Sequence, residues 1–258
     1  MAYKNQKVVL VTGASVGIGK AICKIFLKNN YLVIGVARRI SLMQDMAEKY
    51  HNRFFPVKGD VTKLTDLVKT INALPMALVD IDILINNAGL GIGLNPVYEC
   101  NLIEWKKMID VNINGLINLT QIVSKGMVKK RSGHIINIGS VAGTYAYPGG
   151  NVYGATKAFV KQFSMNLRAD LAEYNIRVSN IEPGLVGETE FSKIRFKGNI
   201  QKANQVYEGK VCLKPVDIAA AVYFTAAVPA RVNINTMEIM ASSQTFGPIK
   251  TLKKDEMK

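Results

Sequence analysis

Tyr153 and Lys157 stand four positions apart in the chain, the spacing that puts two side chains on one face of a helix. A free phenol titrates near ~10, too high for efficient acid–base work at neutral pH, and an adjacent ammonium favours its ionised form. Ser140 adds a hydroxyl upstream, and near the N-terminus the run TGASVGIG gathers Gly13, Gly17 and Gly19. A proton donor combined with a glycine-rich phosphate cradle is the equipment for hydride transfer to or from a dinucleotide.

The glycine run follows an apolar strand and opens an apolar-periodic helix that begins at Lys20 to Phe26. In that context the glycines permit a tight turn and close approach of the backbone to a pyrophosphate, while the helix N-terminus supplies amide donors and a favourable dipole. Taken alone, the same run is also compatible with a strand-to-helix turn that holds no ligand. The end of the next strand speaks to the ligand. A carboxylate there would bond a ribose 2′-hydroxyl, whereas arginine accommodates a 2′-phosphate. The chain has Ala37-Arg38-Arg39, and bidentate guanidinium groups suit phosphate, so NADP is expected over NAD.

Positioning these residues requires alternating strands and helices. Short β-branched runs fall at Val8 to Val11, Leu32 to Val36, Phe54 to Val57, Ile83 to Ile85, His134 to Ile138, Arg177 to Ile181 and Met237 to Met240. Helical patterns fill the gaps, among them a long one around Leu102 to Lys130 and another around Val152 to Tyr174. This alternation predicts an α/β fold with a doubly wound parallel sheet, whose ligand crevice lies beyond the carboxyl ends of the strands. No composition shift marks a linker, so residues 1–258 are read as a single domain.

Composition narrows the partners. The formal charge of +14 invites a nucleic-acid or membrane role, but the basic residues are scattered and the densest run is only Lys129-Lys130-Arg131. Attraction of anionic cofactors and substrates is the better use of such a surface. Cys23, Cys100 and Cys212 are odd in number and lack CxxC spacing, so neither a disulfide framework nor a metal site is suggested, and a reducing cytoplasm is expected. The longest apolar stretch, Ile218 to Val228, is too short to span a bilayer, so the protein should be soluble.

In order and spacing, TGASVGIG, Asn86-Asn87-Ala88-Gly89, Asn112, Ser140, Tyr153-x-x-x-Lys157 and Pro183-Gly184 resemble a short-chain dehydrogenase/reductase over nearly the whole chain. The resemblance implies a Rossmann-type sheet of order 3-2-1-4-5-6-7 and a homotetramer. It makes Tyr153 the general acid in carbonyl reduction and general base in alcohol oxidation, with Ser140 stabilising the substrate oxygen. Lys157 would lower the Tyr153 pKa and hold the nicotinamide ribose, and Asn112 would position a water in a proton relay. Cofactor contacts would come from Gly13, Ser15, Gly17, Ile18 and Gly19 in the turn, with Asp60 and Val61 flanking the adenine. Asn87 and Gly89 would face the adenosine ribose, and Pro183, Gly184, Val186 and Thr189 the nicotinamide. One departure stands out: the family pattern places Thr five residues after the proline, but here Glu188 holds that position and Thr189 follows.

The C-terminal third, with PGLVGETEFSKIRFKG, Leu213 to Ile218 and Val228 to Asn235, together with GGNVYGATKAFVKQFS, resembles the NADP-dependent 3-hydroxy acid dehydrogenase branch. Members oxidise L-serine, L-allo-threonine and related 3-hydroxy acids, or reduce malonic semialdehyde to 3-hydroxypropionate. A small carboxylate substrate needs a cationic anchor near the nicotinamide. Arg195, with Lys197 nearby, lies in the segment of about 185–212 expected to cover that site. Two alternatives stay open: a 3-oxoacyl carrier-protein reductase, and an NADP-binding regulatory or RNA-binding protein without turnover. The basic polar tail at 250–258 carries no assignment.

Overall fold

The computed structural model of the chain describes residues 6–247; the tail at 250–258 lies outside the described residues. Seven strands, β1 (Val8–Thr12), β2 (Leu32–Ala37), β3 (Phe54–Lys58), β4 (Ile83–Asn86), β5 (Gly133–Ile138), β6 (Ile176–Pro183) and β7 (Thr236–Ile239), form one sheet. Its order is β3-β2-β1-β4-β5-β6-β7, and every pairing is parallel. The expected strand order is therefore observed.

Successive side chains of a strand point to opposite faces, and the sheet feeds two cores. On one face Val9, Val11, Val33, Ile85, Ile136 and Ile181 pack with Ile22, Phe26, Ile218 and Val222. On the other, Val8, Leu10, Ile34, Leu84, Ile135 and Val178 pack with Leu67, Leu119, Val123 and Met127. Both faces being covered, the central strands read as unbroken apolar runs, as parallel sheets require.

The helices are α1 (Gly17–Lys28), α2 (Gln44–Lys49), α3 (Leu64–Asn72), α4 (Met76–Val79), α5 (Leu102–Ile109), α6 (Gly115–Lys130), α7 (Asn151–Leu171), α8 (Phe191–Arg195), α9 (Ile200–Gln205) and α10 (Pro215–Ala227). The helix expected over 102–130 is not uniform: a π-helical turn at Asp110–Asn114 joins α5 to α6. Such turns mark functional positions, and this one contains Asn112, whose buried side chain bonds outward to two other segments. The helix expected to reach Tyr174 ends as α7 at Leu171 and tightens into a 3₁₀ turn stopped by left-handed Asn175. No helix among the described residues is long and apolar enough to cross a membrane.

Candidate active site

A cleft of about 890 Å³ opens at the carboxyl ends of the strands, and every residue assigned above to catalysis, cofactor or substrate lines it except Asn112. That is the size of a small-molecule site. Its floor is the turn between β1 and α1. The Thr12 hydroxyl accepts from the backbone N–H groups of Asn87 and Ala88 at 3.0 and 2.9 Å, and the Asn87 amide donates to the Thr12 carbonyl at 2.8 Å. These bonds clamp the ends of β1 and β4 together. Gly13 and Gly17 adopt the left-handed region, and a Cβ on Gly19 would fall 2.2 Å from the Gly13 carbonyl oxygen. No side chain caps the N-terminus of α1 and no acidic residue occupies its first turn. The turn thus sets three glycines beside uncapped helix amides, the arrangement that fits a pyrophosphate.

The two arginines after β2 differ. Arg38 is exposed beside Asp60, and among the described residues it enters no ion pair. Burial pushes the Asp60 carboxyl up, but bonds from the Thr62 N–H and hydroxyl, with Arg38 and Lys63 nearby, bring it below the usual carboxylate range. Arg39 instead reaches across the cleft to a two-pronged ion pair with Glu190. The equal roles expected of Arg38 and Arg39 are therefore not matched by equal surroundings. Val61 packs against the start of α6, where a Cβ on Gly115 would lie 2.6 Å from it.

At the centre, the first turns of α7 bring Tyr153 beside Ser140, whose hydroxyl accepts from the Ala142 N–H at 3.1 Å and donates to the Pro183 carbonyl at 3.4 Å. Burial pushes the Tyr153 phenol up to about 12, opposed by the Arg195 guanidinium and the nearby Ser140 hydroxyl, while Tyr147 adds to the rise. Lys157 donates to the Ile138 carbonyl at 2.8 Å, and burial pushes its ammonium down to about 8. Its nitrogen lies 6.0 Å from the centre of the Tyr153 ring. The Arg195 guanidinium lies 4.9 Å from the same ring centre, so two cations, Lys157 and Arg195, face the phenol.

Asn112 sits behind this group. Its carbonyl accepts from Leu90 N–H at 2.8 Å, and its amide donates to the Leu90 carbonyl at 2.8 Å and to the Thr156 hydroxyl at 3.0 Å. With the side chain so engaged, it braces the loop after β4 against α7. A second amide chain runs alongside: Asn86 donates to Asn137 and Thr120, and Asn137 donates to Ser164. Buried polar groups of this kind must be paired, and together they lock the ends of β4 and β5 to α6 and α7.

The segment expected to cover the site forms a closed excursion. Val186 bridges Leu213 at its base, the Ser192 hydroxyl meets that of Tyr207 at 2.7 Å, and Gly93 N–H donates to the Arg195 carbonyl at 2.9 Å on the far wall. Glu188, displaced from the family pattern, takes a left-handed conformation and turns outward to Lys214 at 3.0 Å. Thr189 lines the cleft instead, against Gly17. Lys197 pairs with Glu104 at 2.6 Å and is not a cleft residue. Arg195 points inward, stacked 4.7 Å from the Phe191 ring centre as well as on Tyr153, and donates to the Tyr147 hydroxyl at 3.3 Å. Sequence reasoning missed the parts played by Tyr147 and Glu190; Thr12 stood in the quoted glycine run without a role of its own, and Phe191 lay inside the segment already expected to cover the site.

A doubly wound sheet with a glycine-rich turn at an uncapped helix N-terminus, and a partly buried Ser–Tyr–Lys group above it, defines a dinucleotide-dependent oxidoreductase. The chain belongs to the short chain dehydrogenase family, which residues 7–199 match. It is 48% identical over 239 residues to the NADP-dependent 3-hydroxy acid dehydrogenase YdfG of Salmonella typhi, covering 93% of this chain and 96% of that one. It is 41% identical to the serine 3-dehydrogenase of Agrobacterium fabrum over 92% of this chain and 95% of the relative. Among solved structures it resembles the closed form of serine dehydrogenase complexed with NADP+, with a TM-score of 0.94 and 44% identity over 96% of this chain and 100% of the other.

Proposed function

We propose that the protein is an NADP-dependent dehydrogenase that interconverts small 3-hydroxy acids, among them L-serine, L-allo-threonine and 3-hydroxypropionate, with their 3-oxo acids or semialdehydes. The observation that carries the substrate class is the Arg195 guanidinium. It faces the cleft over the Tyr153 ring, among the described residues no carboxylate pairs with it, and its Nε is buried without a partner. A buried donor on a permanent cation calls for an anion, and a carboxylate matches the guanidinium fork. The likeness to 3-hydroxy acid and serine dehydrogenases supports the same class.

The glycine-rich turn from Gly13 to Gly19 would hold the pyrophosphate, Arg38 the 2′-phosphate, and Thr189 with Val186 and Pro183 the nicotinamide end. Bound there, NADP accepts the hydride in oxidation and supplies it in reduction. Tyr153 Oη takes the hydroxyl proton when the alcohol is oxidised and returns it when the carbonyl is reduced. Ser140, which lines the cleft beside Tyr153, would orient the reacting oxygen and stabilise its developing charge. Phe191 and the rest of the covering segment would exclude water. The free thiols of Cys23, Cys100 and Cys212 support a reducing cytoplasm, and the family resemblance supports a homotetramer.

The test is NADP reduction followed over serine, allo-threonine, 3-hydroxyisobutyrate and 3-hydroxypropionate, malonic semialdehyde reduction, and an uncharged alcohol for comparison. Arg195→Ala should raise KM for serine at least tenfold more than KM for the uncharged alcohol, since it removes the carboxylate contact. Equal effects on both would refute the anchor. Tyr153→Phe should retain NADP binding and lose about 100-fold or more of turnover.

A further inference from the structure

After β7 the chain crosses the mouth of the cleft once more. A turn closed by a bond from the Gln244 N–H to the Ala241 carbonyl at 2.8 Å sends side chains to three different walls. The Ser243 hydroxyl donates at 2.9 Å to the Val211 carbonyl, on the returning arm of the covering segment. The Phe246 ring lies 4.9 Å from that of Tyr145, in the loop that follows Ser140. Between them the Gln244 side-chain oxygen accepts from the Leu185 N–H at 2.8 Å, although the two residues are 59 positions apart. Gln244, Tyr145 and Phe246 all line the cleft.

Leu185 belongs to the stretch after β6 that would meet the nicotinamide. Its surroundings are held by backbone: the Gly184 N–H donates to the Ile239 carbonyl at 2.7 Å, the Leu185 carbonyl accepts from the Leu213 N–H at 3.1 Å, and the Gly187 N–H donates to the Leu213 carbonyl at 2.8 Å. The Leu185 N–H is held by a side chain instead. A Cβ on Gly184 would collide with the Gln244 oxygen, so a glycine there is what lets the amide seat itself. The same glycine leaves the peptide between 184 and 185 little steric resistance to rotation. We propose that Gln244 is a positioning residue for the nicotinamide end of the cofactor, fixing the Leu185 peptide so that the loop after β6 keeps one shape. This rests on the placement of NADP proposed above. Hydride transfer needs donor and acceptor carbons held in register, and a loop free to swing by an ångström forfeits that advantage. Through Ser243 the same turn ties this loop to the covering segment, so the two walls of the nicotinamide end move together.

Calorimetric titration with two ligands reads this role without turnover: NADPH, and adenosine 2′,5′-bisphosphate, which carries the adenosine end and no nicotinamide. Gln244→Met keeps the length of the side chain and removes the acceptor. It should weaken NADPH binding about tenfold, the worth of one hydrogen bond, and leave the bisphosphate within about twofold, which also shows that the variant is folded. Gln244→Glu keeps an acceptor within reach of the Leu185 N–H and should restore most of the NADPH affinity. Equal loss for both ligands in Gln244→Met would mean a general disturbance and overturns the role, as does no loss for either. If Gln244→Glu binds NADPH as poorly as Gln244→Met, the bond to Leu185 is not the agent and the proposal fails. A wild type that binds the bisphosphate as tightly as NADPH overturns the placement of the nicotinamide itself, a result distinct from the others because it needs no variant.

Discussion

Arg38 and Arg39 share a sequence position in the strand-to-helix turn but not a physical situation. Arg38 is exposed at the edge of the cleft with no ion-pair partner among the described residues, whereas Arg39 is held by Glu190. A 2′-phosphate recruiting Arg39 must compete with a carboxylate already in place, and half-exposed ion pairs are weak but not free to break. Arg38→Ala should therefore raise the Kd for NADP more than Arg39→Ala does. Glu190→Gln should release Arg39 and tighten NADP binding. Fluorescence titration of NADPH reads both, and a larger loss in Arg39→Ala would show that the Glu190 pair does not compete. Neighbouring identical side chains were legible in the sequence, but the partner of one lies 151 positions away.

At the scale of elements, the π turn at Asp110–Asn114 and the first turns of α7 hold the proton-transfer group in place. Asn112→Ala would leave the Leu90 N–H and carbonyl, both buried, without their partner. Each orphaned group costs about 1–3 kcal/mol, so the Tm should fall by on the order of 5 °C. An unchanged Tm with reduced kcat would instead assign Asn112 to water positioning alone. Gly19→Ala tests the floor of the site, since its Cβ would meet backbone rather than a movable side chain. It should weaken NADPH binding at least tenfold, as the turn must open to accept the methyl group.

Over the whole molecule, the +14 formal charge has no single patch to explain it. Its effect should be a diffuse field that draws a polyanionic cofactor toward the cleft. Such steering weakens as the Debye length falls from about 10 Å at 0.1 M salt to about 3 Å at 1 M. The association rate of NADPH, measured by stopped-flow fluorescence, should fall steeply with added sodium chloride, and a rate indifferent to salt would remove charge from the account. The sheet itself depends little on this field. Two apolar cores, one on each face, hold it together.

Strand and helix alternation, the parallel sheet and the glycine-turn and Tyr–Lys residues of the cleft were determined by the sequence alone. They rest on local patterns, on a glycine turn whose geometry admits few side chains, and on a Tyr–Lys spacing that one helix face dictates. Tertiary structure decided what those patterns cannot hold. It placed a π turn in the middle of an apparent long helix, turned Glu188 outward so that Thr189 faces Gly17, and tied Arg39 to Glu190. It also set Arg195, alongside Lys157, over the Tyr153 ring. Proton affinity depends on distance and burial, and residues 42 positions apart along the chain acquire both only when the covering segment folds back across the cleft.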